Sequence, residues 1–547
     1  MQKIKSINTL IDSSTKAQTI VAVFIIMIFA LVNLSSVLRN FSLTTDEDKH
    51  ILYGENIASG NSTRIDDSKM PATALNALPK KASSFFENEK IKYYLNKLYI
   101  ARSVTIFFSC LLALLIFYWS RSLYGFISAL FSLTLYVLDP NIIAHSQLVA
   151  TDLYLTSAIS FAFFTLWKFA NKQNLQNGLV CLFALGVAQL TKYTAVVLFP
   201  LFFIIMFLYD SPVWIEALRS RKNITTLILK YIRYIIFALT VSIVVINLGF
   251  LFNRTFTRFG DYRLRSDIFT RIQSDFRILQ NLPVPTPYPY LQGLDWMIST
   301  EQTGNRSGNV YLLGRVSELK GFPGYYFIAS LLKIPVSTQI IYLTTIVVYL
   351  MHKGNREHFR KNGIFFLVPV LFFSIYFNFF FNTQIGIRYY LPVFPLLYVF
   401  SGFLFIRWKN FLTLQKLLSF ALMIYLAVSV FSYYPYQMSY MNELIGSRLN
   451  AYKYLADSNL DWGQAKNEYR QYQKDNPGVL NNPKNPRSGN FIVRINDLVG
   501  VTQDPAKYAW LRDNFKPVES VAYAYLVYRI TPEQFDNLCA TTTYCQK

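Results

Sequence analysis

Charge is scarce in this sequence. Asp, Glu, Lys and Arg together make up 15% of its 547 residues, against about a quarter in soluble domains. Acids are scarcer still, 31 against 53 Lys and Arg, which leaves a formal net charge of +22. There are only four cysteines and four histidines, and no Cys/His cluster has zinc-ligand spacing, so a zinc module is excluded. Fixed-period repeats, low-complexity tracts and recognisable nucleic-acid modules are missing, so the basic balance does not read as nucleic-acid binding. What fills the chain is apolar: 53% hydrophobic and 17% aromatic residues, a positive mean hydropathy, and apolar blocks that recur at roughly the 20-residue length a bilayer core demands. The expected solvent is lipid.

Loop charge sets the topology. The first block, Thr19 to Leu38, follows Lys3, Lys5 and Lys16. It is too long for a signal-peptide core and reads as a retained span. Further spans are predicted at Ile100–Trp119, Leu123–Leu138, Leu153–Phe169, Leu175–Leu190, Ala195–Tyr209, Tyr231–Phe252, Val336–Met351, Ile364–Phe381, Tyr389–Ile406 and Leu417–Tyr434, eleven in all. Short basic loops (Arg121; Lys168 and Lys172; Arg219 to Lys230; Lys353 to Lys361; Arg407 to Lys416) fall on one side. Two long polar loops, 39–97 and 253–324, and the tail 435–547 fall on the other. The positive-inside rule then puts the N-terminus in the cytoplasm and the loops and tail outside. The fold class expected is an α-helical polytopic membrane protein, residues 1–434, with a small C-terminal α/β extracytoplasmic domain, residues 435–547. The segment Tyr325 to Ile334 is apolar but short, as an interfacial helix would be.

The residues that can carry chemistry cluster at outer loop edges. Asp46, in Thr44-Thr45-Asp46-Glu47-Asp48-Lys49-His50, opens the first long loop. It is either a solvated loop start or a carboxylate base at the membrane surface, which needs a proton-bearing acceptor within hydrogen-bond reach. Asp152 follows the uncharged stretch from His145 and opens the fourth span. It reads equally as a helix N-terminal acid or as a second site carboxylate, and Asp46 with Asp152 could share a metal. Lys192 and Arg388 break the positive-inside pattern, since both are predicted outside. They are either snorkelling residues or a clamp for a lipid-linked phosphate, where arginine supplies a planar fork and lysine a point charge. Lys333 is a weaker candidate for the same clamp and reads rather as an interfacial anchor. The tail segment Asp457 to Gln464, dense in polar groups around Trp462, reads as a capped helix start. Cys110 and Cys181 lie within apolar blocks and read as packing residues. Cys539 and Cys545 sit close together in the tail and would pair in an oxidising compartment.

These segments together carry a resemblance: Asp46-Glu47 with His50; Lys69-Met70-Pro71; His145 to Asp152; Leu190-Thr191-Lys192; Tyr311 to Gly314; Ile385-Gly386-Ile387-Arg388-Tyr389 with Leu391-Pro392; and Ser439 to Glu443 leading into Asp457 to Gln464. In this order and on one side, they resemble bacterial membrane glycosyltransferases of the protein O-mannosyltransferase and lipid A aminoarabinose transferase superfamily, which have the GT-C fold and are similar to glycosyltransferase family 39. Relatives often have a Pro-Pro pair where this chain has Met70-Pro71. The resemblance implies an inverting transferase in a bacterial inner membrane, using a polyprenyl-phosphate sugar and an acceptor hydroxyl on protein, lipid or envelope glycan. It implies Asp46 as base or substrate orienter, with Glu47 and Asp152 in support. It places Lys192 near the lipid phosphate, with Arg388 and Lys69 as companions, and His50, His145 and Tyr389 as substrate contacts. A divalent metal is left open.

Other functions fit the same residues. A transporter would place ionisable residues and broken helices near mid-membrane, often in repeated halves. An oligosaccharide ligase shares the lipid-phosphate logic but moves a preassembled glycan. A non-catalytic scaffold could keep the fold.

Overall fold

The computed structural model describes residues 15–39, 42–304, 308–352, 355–483 and 485–545, and the side chains of 355 and 356 are not described. Lys3, Lys5 and Lys353 therefore lie outside the described residues. The chain is a mostly helical, multi-pass membrane protein. Among the described residues, six helices are long and apolar enough to cross a bilayer: Thr15–Leu38, Leu98–Tyr124, Thr151–Asn171, Ile224–Gly249, Phe359–Phe379 and Thr413–Phe431. Three more apolar runs are bent pairs, and two further apolar helices, Leu175–Ala188 and Val393–Phe405, are shorter. Each predicted block thus holds a helix, although not each is a straight span.

The bends have local causes. Gly125, at φ 89°, separates Leu98–Tyr124 from Phe126–Val137, a backbone conformation open chiefly to glycine. Phe126–Val137 then meets Pro140–Ser146 at 63°. There Asp139 starts a new helix by accepting from the backbone N–H of Asn141 and Ile142 at 2.8 and 2.9 Å, with Pro140 in the first turn, the position proline favours. Tyr325–Lys333 meets Val336–Met351 at 116°. Pro335 lies at that corner and cannot continue a helix from the residues before it.

Two sequence expectations need correction. The basic stretch after Tyr209 is partly helical, Ser211–Ser220, and the next span begins at Ile224 rather than Tyr231. Lys230 and Arg233 are carried on that helix, and Lys230 is tied to Asp210 at 2.8 Å; hydropathy alone stops at such charges, whereas the helix does not. Lys333 is no interfacial anchor. It is buried, and its ammonium donates to the carbonyls of Met438 and Asn459 at 2.8 and 2.7 Å, so its charge is satisfied inside the protein.

The first loop folds into the helices Glu47–Ala58, Ala74–Ala82 and Glu89–Leu95. Asn76 fixes it to the spans below: its amide donates to Ala101 O and Thr105 Oγ1, both at 2.8 Å, and accepts from Tyr154 at 2.9 Å. The second loop carries Asp267–Asp275, Tyr288–Thr303 and the hairpin β1 (Val310–Leu312) and β2 (Arg315–Ser317). The tail holds a four-stranded mixed sheet, ordered β3 (Leu480–Asn481), β4 (Gly489–Arg494), β6 (Tyr525–Ile530), β5 (Glu519–Val521). Phe491 faces Tyr528 across the antiparallel β4–β6 pair. The sheet's core is continuous with the aromatic core of the spans. Before the sheet, residues 437–464 form short turns that pack into the mouth of the helical bundle through Lys333. Cys539 and Cys545 are joined in a disulfide with Cα atoms 5.2 Å apart.

Candidate active site

Thr151 and Asp152 open the Thr151–Asn171 helix, and Asp152 is buried there. A carboxylate at a helix N-terminus gains from the backbone dipole, yet burial demands partners. Asp152 has two. Oδ1 accepts from Lys192 Nζ at 2.8 Å, and Oδ2 lies 3.7 Å from Arg388 Nη1. Residues at least 40 apart in sequence therefore meet at one point. Tyr389 joins them, with Lys192 Nζ 3.6 Å and Arg388 Cζ 5.5 Å from its ring centre. Snorkelling does not describe either cation, since both are turned inward onto a buried acid.

Arg388 stands in the short 3-10 turn Ile387–Tyr390, and the loop that enters it is shaped by its neighbours. Gly386 has φ 92°, and a Cβ there would lie 2.2 Å from Ser458 Oγ, so only glycine fits. Arg388 Nε donates to Ile385 O at 3.1 Å. Ser458 Oγ donates to the same carbonyl at 2.5 Å, and Ile387 N–H donates to Asn459 Oδ1 at 2.9 Å. The Trp462 ring lies under the guanidinium, 4.1 Å from Arg388 Cζ, and His145 flanks that ring at 6.1 Å.

Asp46 sits above this cluster in a left-handed turn, φ 67°, before the Glu47–Ala58 helix, a conformation that aspartate tolerates better than most residues. Its side chain is 40% exposed, and it lies 4.0 Å from Lys69 and 3.9 Å from Lys49. Lys69 is buried, within 3.6 Å of Asp66, and donates to Ser68 Oγ at 3.0 Å. Ala72 N–H donates to Leu190 O at 3.2 Å, which ties the Lys69 segment to the turn bearing Lys192. His50 and His145 are buried, and among the described residues neither Nδ1 has a hydrogen-bond partner. Burial, with Lys69 next and Arg388 and Lys192 beyond, pushes the His50 imidazole down to about 3, against an upward pull from Asp152. His50 is thus a neutral group beside a cluster of cations. Asp457, at φ 56°, is a further acid within charge range of Arg388, and burial raises its carboxyl above the usual range.

Of the residues singled out from sequence, Asp152, Lys192, Arg388 and Tyr389 are in direct contact. Lys69 and His50 lie within charge range of one another, and Asp46 adjoins Lys69. Glu47 is the correction. It faces away from the cluster, where both its oxygens bind Arg102, Oε2 accepts from Thr44 N–H and Oγ1 at 3.0 Å each, and Oε1 accepts from Val149 N–H at 2.9 Å. With every lone pair engaged, it holds the fold of the loop and is not available to a substrate. Sequence reasoning missed Arg102, which lies inside an apolar span, and missed Trp462 as a site residue. The signal for Arg102 was an intramembrane cation, which needs a partner.

A metal does not fit this donor set. Asp152 is already compensated by two cations that would repel a divalent ion, and among the described residues no three His, Cys, Asp or Glu side chains converge.

The sequence profile of a family described as dolichyl-phosphate-mannose-protein mannosyltransferase matches residues 96–247, which include Arg102, Asp152 and Lys192. That match bears out the resemblance drawn from the motifs. No curated protein matches the chain. Two solved structures are distantly similar. ArnT from Cupriavidus metallidurans bound to undecaprenyl phosphate is 12% identical with a TM-score of 0.32, over 94% of this chain and 98% of that one. The same protein in the apo state is 12% identical with a TM-score of 0.31, over 92% and 97%. Both likenesses are too remote to bear on the site.

Proposed function

We propose that this chain is an inverting glycosyltransferase. It moves a sugar from a polyprenyl-phosphate donor to an acceptor hydroxyl on the outer face of the inner membrane, with the N-terminus cytoplasmic and the tail periplasmic. The observation that carries the reading is where the paired cations stand. Lys192 adjoins Thr191 at one end of an apolar groove of about 900 Å³, walled by residues such as Leu75, Phe108, Phe161, Leu190 and Leu248 and reaching Ser122 and Lys168 at the other end. A long isoprenoid suits that groove, and its phosphate then lies beside Lys192 and Arg388. Orientation follows from the basic loops at the opposite end of the spans.

The chemistry follows from the charges. As the bond from the anomeric carbon to the phosphate oxygen breaks, its electron pair passes to the phosphate, whose growing charge Lys192 and Arg388 stabilise. Asp152 holds both cations in place. Asp46, the most exposed acid of the cluster, takes the proton of the acceptor hydroxyl as its oxygen forms the new bond to the opposite face of the sugar. One in-line displacement inverts the anomeric centre, and no covalent sugar–enzyme intermediate is required. His50, His145 and Tyr389 supply hydrogen-bonding or stacking groups in the space between. Clustering of the ionisable residues at one end of the bundle disfavours a transporter, whose sites sit near the midplane.

The test is turnover by the purified full-length protein with undecaprenyl-phosphate-linked single sugars, following release of undecaprenyl phosphate. Release with transfer of the sugar and an inverted anomeric product is expected. No release across a panel of hexosyl and pentosyl donors would overturn the proposal.

A further inference from the structure

The tail segment from Asp457 to Gln464 does more than cap a turn. It touches the Arg388 loop at Ile385 through Ser458, at Ile387 through Asn459, and at the guanidinium through the Trp462 ring, 4.1 Å away. It also reaches the other side of the cluster, where Trp462 O accepts from Thr45 N–H at 2.9 Å, one residue before Asp46. The indole is itself fixed. Trp462 is 5% exposed, packed with Ala144, Leu148, Ala150 and Met438, and its own N–H backbone group donates to Gln464 Oε1 at 2.6 Å.

Arg388 uses few of its donors on protein. Nε goes to Ile385 O, and Nη1 stands 3.7 Å from Asp152. Among the described residues Nη2 has no hydrogen-bond partner. One hydrogen bond and an ion pair at 3.7 Å fix where the guanidinium stands but leave the plane of its fork free to tilt. A ring beneath it restricts the plane of the fork while leaving its edge open, because the cation–π attraction acts on the face.

We infer that Trp462 is a positioning residue: its indole holds the Arg388 fork edge-on to the donor phosphate, and the same segment, through Thr45, sets the distance from that phosphate to Asp46. This rests on the reading of Arg388 as a phosphate ligand. The C-terminal region is then part of the active site and not an appended domain.

The experiment is a double-mutant cycle on purified full-length protein, read as binding of undecaprenyl phosphate and as KM for donor and for acceptor. Trp462→Leu keeps the apolar volume and loses most of the ring face; Trp462→Phe keeps a weaker face and folds more readily. Undecaprenyl phosphate affinity should fall in the order Trp, Phe, Leu, with Leu roughly tenfold weaker than the parent, the size expected of a desolvated cation–π contact. Donor KM should rise, while acceptor KM stays near the parental value. In an Arg388→Gln background, Trp462→Leu should cost nothing further, since the cation is gone. An equal loss in both backgrounds would mean that Trp462 acts by packing alone, and the inference falls. Parental affinity in both ring variants would overturn it also, with the transferase reading intact. A parent that binds undecaprenyl phosphate but transfers no sugar would sink the transferase reading and leave the cycle readable; a parent that does not bind it sinks both.

Discussion

Arg102 grips Glu47 at two points, Nε to Oε1 at 2.8 Å and Nη2 to Oε2 at 2.7 Å, with both side chains 1% exposed. A third bond from Arg102 Nη2 to Ser42 O, at 2.9 Å, closes the loop onto the span. Removing one partner of such a pair leaves a buried charge alone, at a cost of about 3–5 kcal/mol. Arg102→Met should therefore lower the melting temperature of the purified protein sharply, and Glu47→Gln should do so less, since it keeps the shape and part of the hydrogen bonding. At temperatures where Glu47→Gln stays folded, its turnover should remain within a few-fold of the parent. A folded Glu47→Gln without activity would return Glu47 to the catalytic set.

Asp46 is the opposite case, an exposed acid with distant partners at 3.9 and 4.0 Å. Its replacement costs the fold little. Asp46→Asn should leave the melting temperature nearly unchanged and abolish transfer, with undecaprenyl phosphate still bound. Near-parental turnover would remove Asp46 from the base role and point to Asp152.

Lys192 and Arg388 share Asp152. Loss of one such stabiliser of developing negative charge costs about 2.7–4 kcal/mol in the transition state. Lys192→Ala and Arg388→Ala should each reduce turnover by roughly a hundredfold or more. Arg388→Lys should recover only part, because a fork becomes a point charge. Near-parental rates in both alanine variants, at matched expression, would end the phosphate-clamp idea.

His50 gives a pH signature. In the unfolded chain its imidazole titrates near 6.5, and in the fold burial and Lys69 hold it to about 3. Between those values the unfolded chain binds a proton that the folded one refuses, so stability is full above 6.5 and is lost as pH falls below it. The slope is at most about 1.36 kcal/mol per pH unit. His50→Gln should flatten the fall in thermal stability between pH 7 and pH 5 relative to the parent. An unchanged slope would show that His50 titrates normally.

The tail's disulfide reports sidedness. Cys539 and Cys545 are bonded, and Cys110 and Cys181 are free thiols within the membrane module. Thiol labelling of unreduced, denatured protein taken from its membrane should find only the latter two. Labelled tail cysteines would contradict a periplasmic tail.

Much of the frame was legible in the sequence because it rests on local properties. The apolar blocks and the loop charges needed only length and composition to mark the helices of the spans. Lys192 and Arg388 stood out because orientation could not explain them. The errors arose where a residue's role depends on a distant partner. Glu47 looked like a neighbour of Asp46, yet a helix start sends adjacent side chains in different directions, and Glu47 turns to Arg102. Lys333 looked like an anchor until the carbonyls of Met438 and Asn459 were found on it.

The sequence by itself determined that this is a helical membrane protein with its unusual charges at loop edges, because hydropathy and the placement of lysine and arginine act residue by residue. Only the tertiary structure decided that Asp152, Lys192, Arg388 and Trp462 form one cluster. They come from a helix start, two loops and the tail, and what joins them is the need of a buried carboxylate for cations and of those cations for a fixed geometry, a demand that no local pattern records.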